Sequence, residues 1–215
     1  MSRIIFRRKV AGISKILGLV LALSLPVLVA CSDNNNKNKA NNGSVTAIGN
    51  AAIGGAYTLV DHTGKTVTDA DFRGRPQLIY FGYAYCPDVC PTALQQLGLA
   101  LEMAGRAAKY YQPIFITIDY ERDTPEKLAQ YVTAEGFPKE LIALTGSAEQ
   151  IEHAKKIFKV YGKKIANEDS PDDFTYDHTS IVYLMDKDGK FIDVFTHNTT
   201  AQEIANRLIA YKKTG

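Results

Sequence analysis

The stretch Gln77-Leu78-Ile79-Tyr80-Phe81-Gly82-Tyr83-Ala84-Tyr85-Cys86-Pro87-Asp88-Val89-Cys90-Pro91 decides the fold. Gln77–Tyr83 is apolar on both faces, as a central strand of a parallel sheet must be. Beyond Pro91, a residue tolerated in the first turn of a helix, Leu94, Leu97, Leu101, Ala104 and Ala108 recur at spacings of three and four. That spacing makes one apolar stripe and predicts a helix. Pro113–Ile118 then reads as a second buried strand, so the chain runs strand, helix, strand.

Outward from this unit, Tyr57–Val60 and Thr66–Thr68 flank the turn Asp61-His62-Thr63-Gly64 and predict an N-terminal hairpin. Thr124 and Pro125 cap and start a short helix with Leu128, Tyr131 and Val132 inward. Leu141–Leu144 predicts a short strand. Ser147 and Gln150 form a capping box ahead of a helix with Ile151, Ala154, Phe158 and Tyr161 inward. Gly162–Asp177 reads as a long polar loop, a length often tied to function. Ser180–Met185, the turn Asp186–Gly189 and Lys190–Phe195 predict a second hairpin. Thr200 with Glu203 caps a last helix bearing Ile204, Leu208 and Tyr211. The pattern predicts an α/β, thioredoxin-like domain, a mixed sheet flanked by helices, over residues 57–215.

The first residues read differently. Residues 1–30 hold five basic residues and no acid, and Ile16–Ala30 is uncharged. Fifteen residues are short for a membrane span but suit the apolar part of a signal peptide. Leu28-Val29-Ala30-Cys31 resembles a bacterial lipobox, which makes residues 1–30 a lipoprotein signal peptide and Cys31 the lipidated residue. Residues 31–56, rich in Asn and Lys up to Ser44, read as a flexible tether. The predicted place is the bacterial cell envelope, lipid-anchored, on the extracytoplasmic (periplasmic) side. Without residues 1–30 the chain carries 20 basic and 23 acidic residues, a balance of −3, which gives no support to nucleic-acid binding.

With Cys31 assigned to the anchor, Cys86 and Cys90 are the thiols left for the folded domain. Outside the cytoplasm such a pair is a disulfide, a redox couple or a metal site. It follows a strand's C-terminal end, where open α/β sheets place their sites, and a helix N-terminus there stabilises a thiolate. At a spacing of four the residues sit about 5–6 Å apart on one helical face, compatible with one shared ion or with a disulfide. Two thiolates and an imidazole would suit copper. Of the four histidines, His62 reads as a surface turn, His153 as solvated and His197 as loop. His178 starts a strand, with Asp177 beside it as a partner able to orient its ring. On these residues alone His178 is a ligand or a structural histidine.

Three segments in order bring a resemblance. Phe81–Pro91, Asp119-Tyr120-Glu121-Arg122-Asp123-Thr124-Pro125 and Tyr176-Asp177-His178-Thr179 resemble the signatures of the Sco (SenC-type) family. The resemblance implies a thioredoxin-like, membrane-tethered protein that binds Cu(I) and Cu(II) through Cys86, Cys90 and His178. It implies a role in maturing the Cu-A centre of cytochrome c oxidase. The expected partners are the oxidase subunit carrying Cu-A and a second periplasmic copper chaperone or thioredoxin-like reductant. Ala84 stands where the family commonly has Thr, and Tyr120 where it often has Pro; neither removes a ligand. Asp119, Glu121, Arg122 and Asp123 read as a solvated turn with a helix cap, or as a docking surface. The competing function is a thiol–disulfide oxidoreductase using Cys86 and Cys90 as its redox pair to reduce the oxidase cysteines. A thiol peroxidase fits the three-residue gap poorly. Tyr176–Thr179 lacks the proline that exchange enzymes of this fold place opposite their cysteines, which favours metal.

Overall fold

The structure, a computed structural model, describes residues 52–167 and 170–214. The signal segment, Cys31 and the tether up to residue 51 lie outside the described residues. Ile53 and Gly54, at the tether's end, already touch the domain: Ile53 packs on the core and the Gly54 amide donates to the Ile157 carbonyl at 3.0 Å.

Strand β3 (Gln77–Gly82) is buried at all six positions, because it is paired on both edges and covered on both faces. It runs parallel to β4 (Gln112–Thr117), with Gln77 opposite Gln112 and Gly82 opposite Thr117. The crossover between them is α1 (Val89–Ala104) followed by a 3-10 turn, Gly105–Tyr110. On its other edge β3 pairs antiparallel with β8 (Ile181–Met185), which pairs with β9 (Phe191–Thr196). Beyond β4 lie β5 (Ile142–Thr145), parallel to it, and then the N-terminal hairpin β1 (Thr58–Asp61) and β2 (Thr66–Thr68). The order β2-β1-β5-β4-β3-β8-β9 is a thioredoxin-like mixed sheet: a parallel strand–helix–strand unit joined to an antiparallel hairpin and a helix.

Alternation along β3 assigns the faces. Phe81 packs against Phe158 of α3 (Ala148–Phe158) and against Tyr183. Tyr80 and Gly82 face the other side, towards α1. There α4 (Ala201–Thr214) also packs, the Tyr111 hydroxyl donating to the Leu208 carbonyl at 2.6 Å. Gly98 of α1 permits close approach: a Cβ there would lie 2.0 Å from the Gly136 carbonyl oxygen.

The caps at Thr124, ahead of α2 (Pro125–Tyr131), at Ser147 and at Thr200 form as read. Three local expectations change. Helix α1 stops at Ala104, because Gly105 takes a positive φ of 57°, so Ala108 lies in the 3-10 turn. Tyr161 is 53% exposed: α3 ends at Phe158 and Lys159 caps it in the left-handed region, turning the chain outward. The segment read as a long loop is a second, two-stranded sheet, β6 (Gly162–Asn167) against β7 (Ser170–His178), pairing Gly162 with His178.

Candidate metal centre

The site forms where β3 ends and α1 begins. Past Gly82 the chain turns, the Cys86 amide donating to the Tyr83 carbonyl at 3.2 Å. Cys86 is half-buried and Cys90, in the first turn of α1, is fully buried; both are free thiols. The first amides of a helix have no partner within it. One of these, Cys90 N–H, donates to Cys86 Sγ at 3.4 Å, as a thiolate at a helix N-terminus requires. The Cys90 side chain, together with the amides of Cys90 and Asp88, holds the Cys86 thiol well below its ordinary range against the opposing effect of burial. Cys90 moves the other way, pushed up by the neighbouring Cys86 and by burial. The two shifts run in opposite directions and favour the thiolate on Cys86 and the thiol on Cys90.

His178 reaches the same point from β7. Phe174, Tyr176 and His178 alternate along one face of that strand. Tyr176 packs on Tyr83 with ring centroids 5.3 Å apart, and its amide donates to the Tyr83 hydroxyl at 3.3 Å. His178 Nε2 lies 3.5 Å from Cys90 Sγ. Its Nδ1 lies 3.0 Å from the Thr179 carbonyl. A carbonyl only accepts, so Nδ1 carries the proton and the Nε2 lone pair faces Cys90. The expected orienting partner, Asp177, is not used. As the strand neighbour of His178 its side chain points to the opposite, exposed face, and the Thr179 carbonyl takes the role.

These donors fit a soft metal ion. Bonds of about 2.3 Å to sulfur and about 2.0 Å to nitrogen at a tetrahedral ion place the two donor atoms about 3.5 Å apart, the separation seen between Cys90 and His178. Among the described residues no three His, Cys, Asp or Glu side chains form a ready-made cage, so bringing all three donors onto one ion would take a rearrangement of the site. The other histidines stay apart. The His62 ring nitrogen accepts the Ala143 amide at 3.2 Å and ties β1 to β5. His153 is exposed and bonds the Ala56 carbonyl at 2.9 Å. His197 is exposed and lines a cleft of ≈ 450 Å³ that also has Tyr80, Val89 and Ser180 in its walls.

Residues beyond the sequence reading shape this floor. Tyr80 is fully buried, its hydroxyl 3.1 Å from Ser180 Oγ, and burial followed by the nearby Cys90 pushes its phenol upward. A Cβ on Gly82 would lie 2.9 Å from Cys90 Sγ, so this glycine reserves the space the sulfur fills. The alternation Phe174, Tyr176, His178 was the signal that could have revealed β7. The charged segment 119–123 is not a solvated turn: Asp119 and Asp123 are fully buried. Arg122 pairs with Asp119 at 2.5 Å and stacks on Phe174 at 3.6 Å, while Lys164 covers that same ring at 3.6 Å and pairs with Glu121 at 2.7 Å. These contacts fasten the β6–β7 sheet, and hence His178, beside the thiols.

The comparisons with known proteins follow this geometry. The SCO1/SenC family description matches residues 45–213. Protein sco1 of Schizosaccharomyces pombe is 38% identical over 206 residues, 93% of this chain and 78% of that protein. The mitochondrial SCO1 homologue of Mus musculus is 38% identical over 78% of this chain, and the match spans 58% of its length. The copper-bound structure of Bradyrhizobium japonicum ScoI superposes with a TM-score of 0.67 at 42% identity, covering 74% of this chain and 99% of that one. A family match across the whole described domain, with relatives at this level of identity, makes the chain a member of the SCO1/SenC family.

Proposed function

We propose that the protein is a membrane-tethered, extracytoplasmic copper chaperone that holds copper between Cys86, Cys90 and His178. In this reading it delivers the metal to, or matures, the Cu-A centre of cytochrome c oxidase. The observation that carries it is the 3.5 Å approach of Cys90 Sγ to His178 Nε2 beside a Cys86 thiolate. Two soft sulfurs retain Cu(I), and the imidazole accommodates Cu(II). The copper carried by the similar Bradyrhizobium japonicum ScoI supports the choice of metal. The residues hold the cargo and orient it: Thr179 fixes the ring of His178, Gly82 makes room for Cys90, and the half-buried Cys86 is the donor a partner reaches first. Residues 1–30 serve as the signal peptide, Cys31 as the lipid anchor and the following segment as the leash of the domain from residue 57. Among the described residues no helix is long and apolar enough to cross a membrane.

A second reading, thiol–disulfide exchange on the oxidase cysteines, is favoured by one asymmetry. Cys86 is an accessible thiolate and Cys90 a buried thiol, the arrangement of an attacking and a resolving sulfur. In that reaction the Cys86 thiolate and the Cys90 thiol give up two electrons and one proton to the target disulfide and become a disulfide themselves, the target's second sulfur leaving as a thiolate that takes its proton from solvent. Anaerobic copper titration of the reduced protein, run beside an insulin-reduction assay, separates the two. The chaperone reading expects one copper per chain, strong thiolate-to-Cu(II) charge transfer and negligible reductase activity. Unchanged copper stoichiometry in the Cys86→Ala/Cys90→Ala protein would overturn it.

A further inference from the structure

Asp123 has no task in the site as described so far, yet it is fully buried. Its Oδ2 accepts the Ala84 amide at 2.9 Å and the Thr117 hydroxyl at 2.6 Å, while Thr117 Oγ1 accepts the Asp119 amide at 2.9 Å. Asp123 Oδ1 is buried with no partner. A carboxyl buried with one oxygen unmet is costly, and a helix cap does not need it, since Thr124 caps α2.

Its placement supplies the reason. Ala84 has left the ladder of β3, so its N–H needs an acceptor from elsewhere. Thr117 is the last residue of β4. Asp123 thus joins the loop that leaves β3 to the end of β4, two residues before Cys86. We propose that Asp123 is a positioning residue of the thiol site, its carboxyl fixing Ala84 and thereby the reach of Cys86 towards Cys90 and His178. This rests on reading the cysteines as the functional pair, but not on copper.

Native-state hydrogen exchange tests the anchor in the unmodified protein. The Ala84 amide is expected to exchange at least about 100-fold more slowly than the neighbouring Tyr85 amide; exchange within about threefold of Tyr85 overturns the proposal. The equilibrium between the metal-free thiol pair and glutathione tests the consequence. Asp123→Ala should reduce formation of the Cys86–Cys90 disulfide about tenfold, equivalent to about 30 mV. Asp123→Asn keeps an oxygen for Ala84 and should stay within about threefold of the native value. Thr117→Val removes the other bond to the same oxygen and should lower the melting temperature while leaving that equilibrium within about twofold. A folded Asp123→Ala protein with the native equilibrium, or equal shifts in Asp123→Ala and Thr117→Val, refutes positioning. Should Asp123→Ala fail to fold, the exchange rate of Ala84 decides. Loss of copper binding with these metal-free results intact would sink the chaperone reading and leave this one standing.

Discussion

Replacing Gly82 by alanine would drive a methyl group into the floor of the thiol site. The added carbon would lie 2.9 Å from Cys90 Sγ, 2.9 Å from Tyr80 Cε1 and 3.1 Å from Phe115 Cε2. Comfortable separation is about 3.5–4.0 Å, so the methyl falls short on three sides at once. All three neighbours are fully buried and have nowhere to retreat. Overpacking of this kind costs about 1–3 kcal/mol. Gly82 is not in the left-handed region, so alanine adds no backbone strain there and stiffens the unfolded chain, which offsets about 0.4–1 kcal/mol. At mid-range the net loss is about 1.3 kcal/mol, a fall in melting temperature of about 3–5 °C for a domain of this size. The methyl also pushes Cys90 Sγ away from its 3.5 Å approach to His178. Thermal melting of the reduced protein and competitive Cu(I) titration measure the two effects. Melting within about 1 °C of the native protein with unchanged copper affinity would refute the claim that Gly82 reserves space for the sulfur.

Other outcomes follow from the same contacts. Cys86 is the depressed thiol, so its thiolate persists as pH falls from 8 to about 5, where an ordinary thiol of pKa about 8.5 is protonated. Alkylation of Cys86, followed by mass spectrometry, should therefore stay fast across that window while Cys90 stays unreactive. By the same sign, the stability that Cys86 contributes is present above the unfolded thiol's range and lost as pH falls through its depressed folded value. Gly98→Ala places a carbon 2.0 Å from the Gly136 carbonyl oxygen and should cost about 3 kcal/mol or more, read by urea unfolding. Phe174→Ala removes a ring held between Arg122 and Lys164. Losing two cation–π contacts of about 0.5–1 kcal/mol each should raise hydrogen exchange across β6 and β7 while β3 stays protected.

What the sequence revealed and what it hid have different physical sources. Strand β3 and helix α1 were legible because their signals are local: an unbroken apolar run, buried on both faces, for the strand, and one apolar stripe with a period near 3.6 for the helix. The caps at Thr124, Ser147 and Thr200 were legible because their partners lie three residues away. The β6–β7 sheet was not. Its sequence signal is the short alternation Phe174, Tyr176, His178 within a polar stretch, and what holds those rings lies far off in the chain: Arg122 and Lys164 on Phe174, Tyr83 on Tyr176. Asp177 is next to His178 in sequence, yet strand alternation turns it to the opposite, exposed face. Asp119 and Asp123 looked solvated because charge is a poor guide to burial once a carboxyl has donors in Thr117, Ala84 and Arg122. The resemblance singled out Cys86, Cys90 and His178, and the fold brings Cys90 Sγ within 3.5 Å of His178 Nε2 and the Cys90 amide within 3.4 Å of Cys86 Sγ.

The most direct measurement of the central claim is X-ray absorption at the copper edge of the reduced protein loaded with one equivalent of Cu(I), repeated after oxidation to Cu(II). The account predicts two sulfur scatterers in both states, with a nitrogen neighbour that is lost in His178→Ala and whose loss weakens Cu(II) most. A copper shell without sulfur, or one unchanged when Cys86 and Cys90 are both replaced, would contradict it.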